Sequence, residues 1–146
     1  MMQRKAEKGL DFEALRFGIE RCEHALVLGF YADDAELSIV NVEASQDVTF
    51  DLRGKAQIAK HLRAIFGQGA SHSVKLEVVN EDRVTFWEAC EYPDGDRVLV
   101  ETRLEVRDGK IVRQTDLVSE VARAEAPPLV RHFLRFEQAT EKEDYR

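Results

Sequence analysis

The sequence predicts an α+β fold in which helices cover one face of a curved antiparallel sheet. Helical periodicity dominates the chain before Gly67, whereas the residues after Gly69 alternate apolar and polar side chains over four runs. The pairs Asp94-Gly95 and Asp108-Gly109 separate the last three runs and are typical of β-hairpin turns. Because helical and strand patterns come in blocks, parallel βαβ units are not expected.

Two helices are predicted in the first half of the chain. A long first helix is expected from an N-cap at Asp11 to about Gly29, because apolar residues recur at steps of three and four. A second amphipathic helix is expected from about Lys55 to Phe66, and the glycine at position 67 is suited to end it. Both helices present one apolar stripe, so each can cover the same sheet.

The strands follow from alternation of apolar and polar residues. Two short strands are predicted between the two helices, over about 36–41 and 48–52. The four runs after Gly69 are predicted to form an antiparallel meander, and they cover about 72–78, 84–92, 98–106 and 111–120.

Length and composition bound the organisation of the chain. Its 146 residues, 44% of them hydrophobic, are enough for one domain with a sizeable core. We expect a flexible tail over 1–10, the domain over 11–122, and an extension over 123–146 with a short C-terminal helix near 129–136.

Charge and cysteine usage exclude several classes of partner. A formal net charge of −7 opposes binding to nucleic acid or to anionic lipid. No apolar stretch is long enough to span a membrane, and Cys22 and Cys90 are typical of reduced thiols. We therefore expect a cytoplasmic protein that contacts neither a membrane nor nucleic acid.

Several short motifs occur in the order and spacing of one family. Residues 19–26 (IERCEHAL) followed by 30–37 (FYADDAEL) resemble the opening of SnoaL-like proteins in the nuclear transport factor 2-like superfamily. Residues 54–58 (GKAQI) and 108–112 (DGKIV) resemble that family's helix start and the turn into its final strand. The resemblance covers about 11–120.

The resemblance implies a cone: a strongly curved sheet around the helices, with a mostly apolar cavity that takes a small apolar molecule without a cofactor. Its members include ketosteroid isomerases, polyketide cyclases, limonene epoxide hydrolases and proteins that only bind, so the fold leaves the reaction open. The three ketosteroid isomerase groups are absent, because their positions correspond to Leu15, Ile39 and Thr102. An isomerase, cyclase or epoxide hydrolase-like enzyme, a binding module and a dimeric interaction module all remain possible.

Asp116 is the first candidate catalytic residue. Polyketide cyclases and epoxide hydrolases that this chain resembles place an acid at this position, and Val112, Gln114 and Val118 share its side of the strand. A carboxyl among apolar side chains can serve as a general acid or base near neutral pH. The alternative is that Asp116 faces solvent or pairs with an arginine.

Glu88 and His72 are the other catalytic candidates. Glu88 shares a strand face with apolar and aromatic residues such as Phe86, so it is either a second cavity acid or a structurally paired charge. His72 opens another apolar face and is either a core or rim residue or a catalyst, depending on its distance from Glu88 and Asp116.

Five further residues are predicted to bind the ligand: Asn41, Tyr31, Gln114, Phe86 and Ile39. The tyrosine either offers its hydroxyl to the cavity or packs against the core. No metal site is expected, because the four histidines are isolated and no metal-ligand spacing occurs.

The outer face of the sheet is predicted to form a homodimer contact. It carries Trp87, Ala89, Leu99 and Leu117 among charged residues, which is a typical interface mixture. The alternative is a solvated face with scattered apolar side chains.

Overall fold

The computed structural model describes residues 9–41 and 49–120, which form helices packed against a curved six-stranded sheet. The helices are α1 (Phe12–Glu20), α2 (His24–Leu28) and α3 (Lys55–Phe66). The strands are β1 (Tyr31–Asn41), β2 (Thr49–Arg53), β3 (Ser71–Val79), β4 (Arg83–Glu91), β5 (Arg97–Arg107) and β6 (Lys110–Glu120). The predicted tail and C-terminal helix lie outside the described residues. Within them, no helix has the length and apolar character needed to cross a membrane.

The α+β fold class is confirmed, and the sheet differs from the expectation in one pairing. The strand order is β2-β1-β6-β5-β4-β3, and β3 to β6 form the predicted antiparallel meander. However, β1 pairs with β6 in parallel, so the sheet is mixed. Side-chain alternation reports which face a residue occupies and carries no information on strand direction. Among the described strands, β2 and β3 are the two edges, and the sheet is open.

The prediction of one long first helix is wrong, because a tight turn divides it into α1 and α2. Cys22 adopts a left-handed conformation with φ of 56°. The Cys22 N–H donates to the Ile19 carbonyl at 3.1 Å, and the Glu23 N–H donates to the Gly18 carbonyl at 2.8 Å. These two bonds are those of a Schellman cap. The apolar periodicity continues across the turn, and therefore hides it in the sequence.

The two first helices approach closely at a glycine. A Cβ on Gly18 would lie 3.0 Å from Cγ2 of Val27, so α2 folds back onto α1 where no side chain intervenes. The predicted N-cap of α1 is confirmed, since the Asp11 side chain accepts from the Ala14 N–H at 3.2 Å. Helix α3 has the predicted bounds.

The hydrophobic core lies between the helices and the inner face of the sheet. Ile58 of α3 and Val84 of β4 are completely buried, and Leu15 of α1 is 2% exposed. The ring of Phe12 packs on that of Phe86 with centroids 5.6 Å apart. Burying each such side chain stabilises the fold by about 1.5–3 kcal/mol.

Candidate functional site

A cavity lies between the helices and the inner face of the sheet. It comprises a larger pocket of about 520 Å³, part of it open to solvent, and an adjacent pocket of about 350 Å³. Both volumes include space that is open to solvent at the pocket mouths. The lining is mostly aliphatic and aromatic, and no lysine or arginine occurs among the described lining residues. Four residues line both pockets: His61, Ile65, Glu88 and Asp116.

Asp116 sits in the cavity wall at the end of a hydrogen-bond chain. Its Oδ1 accepts from Thr102 Oγ1 at 3.0 Å and from Gln114 Nε2 at 2.9 Å. The Tyr31 hydroxyl in turn donates to Gln114 Oε1 at 2.5 Å, which fixes the orientation of the amide. We call Tyr31, Thr102, Gln114 and Asp116 the Asp116 cluster. Its members come from β1, β5 and β6.

The environment of Asp116 makes its carboxyl weakly acidic. Burial raises its pKa from 3.8 to about 7, and the charge of Glu88 acts in the same direction. The hydrogen bonds from Gln114 and Thr102 stabilise the carboxylate and oppose that rise. Both bonds reach Oδ1. Since no donor from the described residues bonds to Oδ2, that oxygen is left for a ligand.

A second polar group lies on β3 and β4. His72 Nδ1 is 2.5 Å from Glu88 Oε2, and Cys90 Sγ lies 3.4 Å from the same nitrogen and 3.7 Å from the same oxygen. We call these three residues the His72 cluster. Burial raises the pKa of the Cys90 thiol, and the charge of Glu88 raises it further. Because the thiol and the carboxylate meet one ring nitrogen, the histidine cannot relay a proton between them through its two nitrogens.

The structure brings most of the predicted site residues to the cavity. Asp116, Glu88, Gln114, Tyr31 and Phe86 line the larger pocket. His72 and Ile39 line the smaller one. Asn41 is an exception, because this buried residue lines neither pocket.

The alternative that Asp116 faces solvent or pairs with an arginine is wrong. Arg103 pairs with Glu101 at 3.2 Å, and Arg113 pairs with Glu36 at 3.3 Å, and all four are outside the cavity lining. The predicted approach of His72 to a cavity acid does occur, and the acid is Glu88.

Sequence reasoning missed His61 and Cys90 as site residues. His61 of α3 is 5% exposed, and burial lowers its pKa to about 4, so the ring is neutral at pH 7. Its position three residues after the fully buried Ile58 was the available signal. Cys90 shares the face of Glu88 and stands opposite His72 across the β3–β4 ladder. That pairing requires the strand register.

Solved structures with low sequence identity share the fold. A Silicibacter pomeroyi protein with a cystatin-like fold is 7% identical, with a TM-score of 0.67, over 90% of this chain and 82% of that chain. A nuclear transport factor 2-like protein of unknown function from Mesorhizobium loti is 21% identical, with a TM-score of 0.63, over 74% and 87%. A Kribbella flavida protein provisionally assigned as a ketosteroid isomerase is 16% identical, with a TM-score of 0.56, over 78% of each chain.

The sequence itself matches a known domain family. No curated protein is significantly similar to the chain. The model of the SnoaL-like domain matches residues 13–114, which include nearly all of the three helices, the Tyr31–Gln114 pair and the His72 cluster. The chain therefore belongs to the SnoaL-like family.

Proposed function

We propose that this protein binds a small, mostly apolar molecule in its cavity and moves a proton on it, with Asp116 as general acid and base. The observation that carries the proposal is the Asp116 carboxyl, whose pKa of about 7 lets it take up and return a proton near neutral pH. Its Oδ1 is held by two donors, whereas Oδ2 is unbonded among the described residues. The remaining cavity wall is largely apolar, which suits a neutral ligand.

The reaction that fits these groups is isomerisation of a carbonyl compound. Asp116 Oδ2 removes a proton from the carbon beside the carbonyl, and the electron pair moves onto the carbonyl oxygen. The protonated carboxyl then returns the proton to another carbon of the same conjugated system, so no atoms are gained or lost. We place the carbonyl group beside His61, whose neutral ring lines both pockets together with Asp116.

The position of Asp116 in the sheet supports this role. Its direct cross-strand partners are Ile39 on β1 and Thr102 on β5. These are the two positions at which the resemblance to ketosteroid isomerases places acidic groups. The acid of this chain lies between them in the same cross-strand row, so it faces the same part of the cavity.

Exchange of substrate hydrogens with deuterium tests the proposal without knowledge of the natural product. A panel of small cyclic and unsaturated ketones is incubated with the protein in D₂O, and deuterium uptake is followed by mass spectrometry. Asp116→Asn is expected to lower the exchange rate at least about 100-fold. Asp33→Asn, at an exposed aspartate of β1 that is outside the cavity lining, is the matched control and should keep the wild-type rate.

The outcome separates catalysis from binding. Exchange that persists in Asp116→Asn contradicts the acid–base role. Saturable binding of a ketone with no exchange in wild type supports the alternative, a binding module that uses the same cavity.

We also propose that the outer sheet face forms a homodimer, because four of its apolar side chains are only half-buried in the single chain: Trp87, Ala89, Leu99 and Leu117.

A further inference from the structure

We infer that His72, Glu88 and Cys90 form a binding site for one divalent transition-metal ion, of which zinc is the best match. The site lies in the smaller pocket, on the inner face of β3 and β4. Its ligand atoms are His72 Nδ1, Glu88 Oε2 and Cys90 Sγ. The inference stands independently of the proposed proton transfer, and metal binding is measured without any substrate.

The distances between the ligand atoms fit a tetrahedral ion. Zinc holds sulfur at about 2.3 Å and nitrogen or oxygen at about 2.0–2.1 Å, which puts neighbouring ligand atoms about 3.3–3.6 Å apart. Cys90 Sγ lies 3.4 Å from Nδ1 and 3.7 Å from Oε2, close to that spacing. The Nδ1 to Oε2 distance of 2.5 Å is a hydrogen bond that an ion would replace. The carboxylate needs to move by less than about 1 Å.

The strands hold the three residues in place. His72 and Cys90 are direct partners across the β3–β4 ladder, and the register between Ser71 and Lys75 is regular. Glu88 precedes Cys90 by two residues and therefore shares its face of the sheet. The side chain of His72 is only 1% exposed and that of Glu88 is 16% exposed. Ligands on adjacent strands with buried side chains lose little conformational freedom when the ion binds.

The charge and chemistry of the donor set favour a cation. The cavity contains two carboxyls, Glu88 and Asp116, and no lysine or arginine occurs among its described lining residues. One thiolate and one carboxylate neutralise a divalent ion, and the thiol proton that binding displaces is released to solvent. A thiolate, an imidazole and a carboxylate together match zinc, which accepts sulfur, nitrogen and oxygen ligands.

The imidazole has one nitrogen available for this role. His72 Nε2 is buried and has no hydrogen-bond partner among the described residues, whereas Nδ1 points to the other two ligand atoms. An ion on Nδ1 leaves the ring proton on Nε2. In the absence of an ion, the hydrogen bond to the Glu88 carboxylate places the ring proton on Nδ1, so coordination requires that proton to move to Nε2.

Three protein ligands leave the fourth position of the ion open. All three ligand residues line the smaller pocket, and Glu88 lines the larger one as well, so the ion would lie at the cavity wall. Three ligands with one free position are typical of zinc sites that bind water or a substrate oxygen. Asp116 lines the same smaller pocket, so a zinc ion here would share that pocket with this acid.

Cobalt binding tests the site through its thiolate. The purified full-length protein is stripped with a chelator and titrated with Co²⁺, which gives a sulfur-to-cobalt charge-transfer band when a thiolate coordinates. We expect one Co²⁺ per chain with this band in wild type and in Cys22→Ser, and its loss in Cys90→Ser. Glu88→Gln should weaken the affinity at least about tenfold. Zn²⁺ should displace the cobalt and abolish the band.

The controls keep each result decisive. Cys22→Ser removes the only other thiol, so a band in that variant must come from Cys90. The inference is overturned if wild type shows no thiolate band, or if the band survives in Cys90→Ser. Should Cys90→Ser fail to fold by circular dichroism, the spectra of Cys22→Ser and Glu88→Gln still decide the question.

Discussion

The two polar groups of the cavity are built on the same sheet face, yet they satisfy their carboxyl groups in opposite ways. In the Asp116 cluster, two neutral donors reach one carboxylate oxygen and no basic group is present. In the His72 cluster, the Glu88 carboxylate meets an imidazole and a thiol. The first arrangement raises the pKa of a carboxyl towards neutrality, and the second gathers three metal-binding atoms.

The difference shows that cross-strand neighbours decide the chemistry of an inward-facing acid. Glu88 and Asp116 both occupy inward positions of long strands, and alternation alone treats them alike. Thr102 stands opposite Asp116, whereas Val100 stands opposite Glu88, so only the first acid gains a hydroxyl donor from β5. Glu88 instead reaches diagonally to the histidine on β3.

The largest expected effect comes from removing the apolar residue between the two groups. Phe86 stands opposite Thr102 across β4–β5 and precedes Glu88 by two residues on β4. Its ring is buried against Phe12, so Phe86→Ala should lower the free energy of unfolding by about 3–5 kcal/mol, measured by urea unfolding. Phe86→Leu is the control and should lose much less. A loss below about 1 kcal/mol for Phe86→Ala would contradict the assignment of this ring to the packed core.

The raised pKa of Asp116 predicts a pH-dependent stability. Below pH 3.8 the carboxyl is protonated in both the folded and the unfolded state. Between pH 3.8 and about 7 only the folded state keeps the proton, so this group makes stability fall as pH rises. The total loss is up to about 4 kcal/mol. Asp116→Asn should remove this slope, which unfolding curves of both proteins at several pH values would show.

His61 changes stability with pH in the opposite direction to Asp116. Its folded pKa of about 4 lies below the ordinary value of 6.5, so between these values only the unfolded state binds the proton. This residue therefore makes stability rise with pH through that window, by about 3 kcal/mol in total. We expect the two slopes largely to cancel in wild type. His61→Gln should then expose the fall due to Asp116, and a rise with pH in that variant would contradict the assignment.

A smaller effect is expected when the outer end of the hydrogen-bond chain is cut. Tyr31→Phe keeps the ring and removes the donor to Gln114 Oε1, so the buried amide loses a partner. The expected cost is about 1–2 kcal/mol in the free energy of unfolding. A freely rotating amide also donates less well to Asp116, so the pKa of that carboxyl should rise in a carbon-13 NMR titration. An unchanged pKa would show that Gln114 holds its orientation without the tyrosine.

The sequence predicted those features that depend on local pattern. The N-cap at Asp11, the bounds of α3 and the inward face of β6 follow from residue type and spacing alone. The cap at Cys22 could not be predicted, because a left-handed turn at a cysteine has no sequence signature and the apolar period continues through it. The parallel pairing of β1 with β6 could not be predicted either, because the two strands are far apart in the chain and local patterns do not report which strands pair.

The site was predictable only as a set of separate inward residues. Glu88 and His72 were identified from strand alternation, and Asp116 from the family resemblance together with its strand face. The contact between His72 and Glu88 required the β3–β4 register. The sequence carried no sign of the His72 cluster, because its three members converge from two strands rather than from one motif. Asn41 has the right parity, but it lies beyond the cavity at the end of β1.

The smallest expected effect isolates the second donor to Asp116. Thr102→Val removes the hydroxyl that reaches Oδ1 and keeps the shape of a residue that is 1% exposed. The free energy of unfolding should fall by about 0.5–1.5 kcal/mol, and the pKa of Asp116 should rise, because one bond that stabilises the carboxylate is lost. Thr102→Ser is the matched control, since it retains the hydroxyl and should leave that pKa near its wild-type value. If the Asp116 carboxyl has the same pKa in Thr102→Val and Thr102→Ser, then burial and Gln114 alone set its acidity. The contrast between Asp116 and Glu88 would then not depend on the Thr102 hydroxyl on β5.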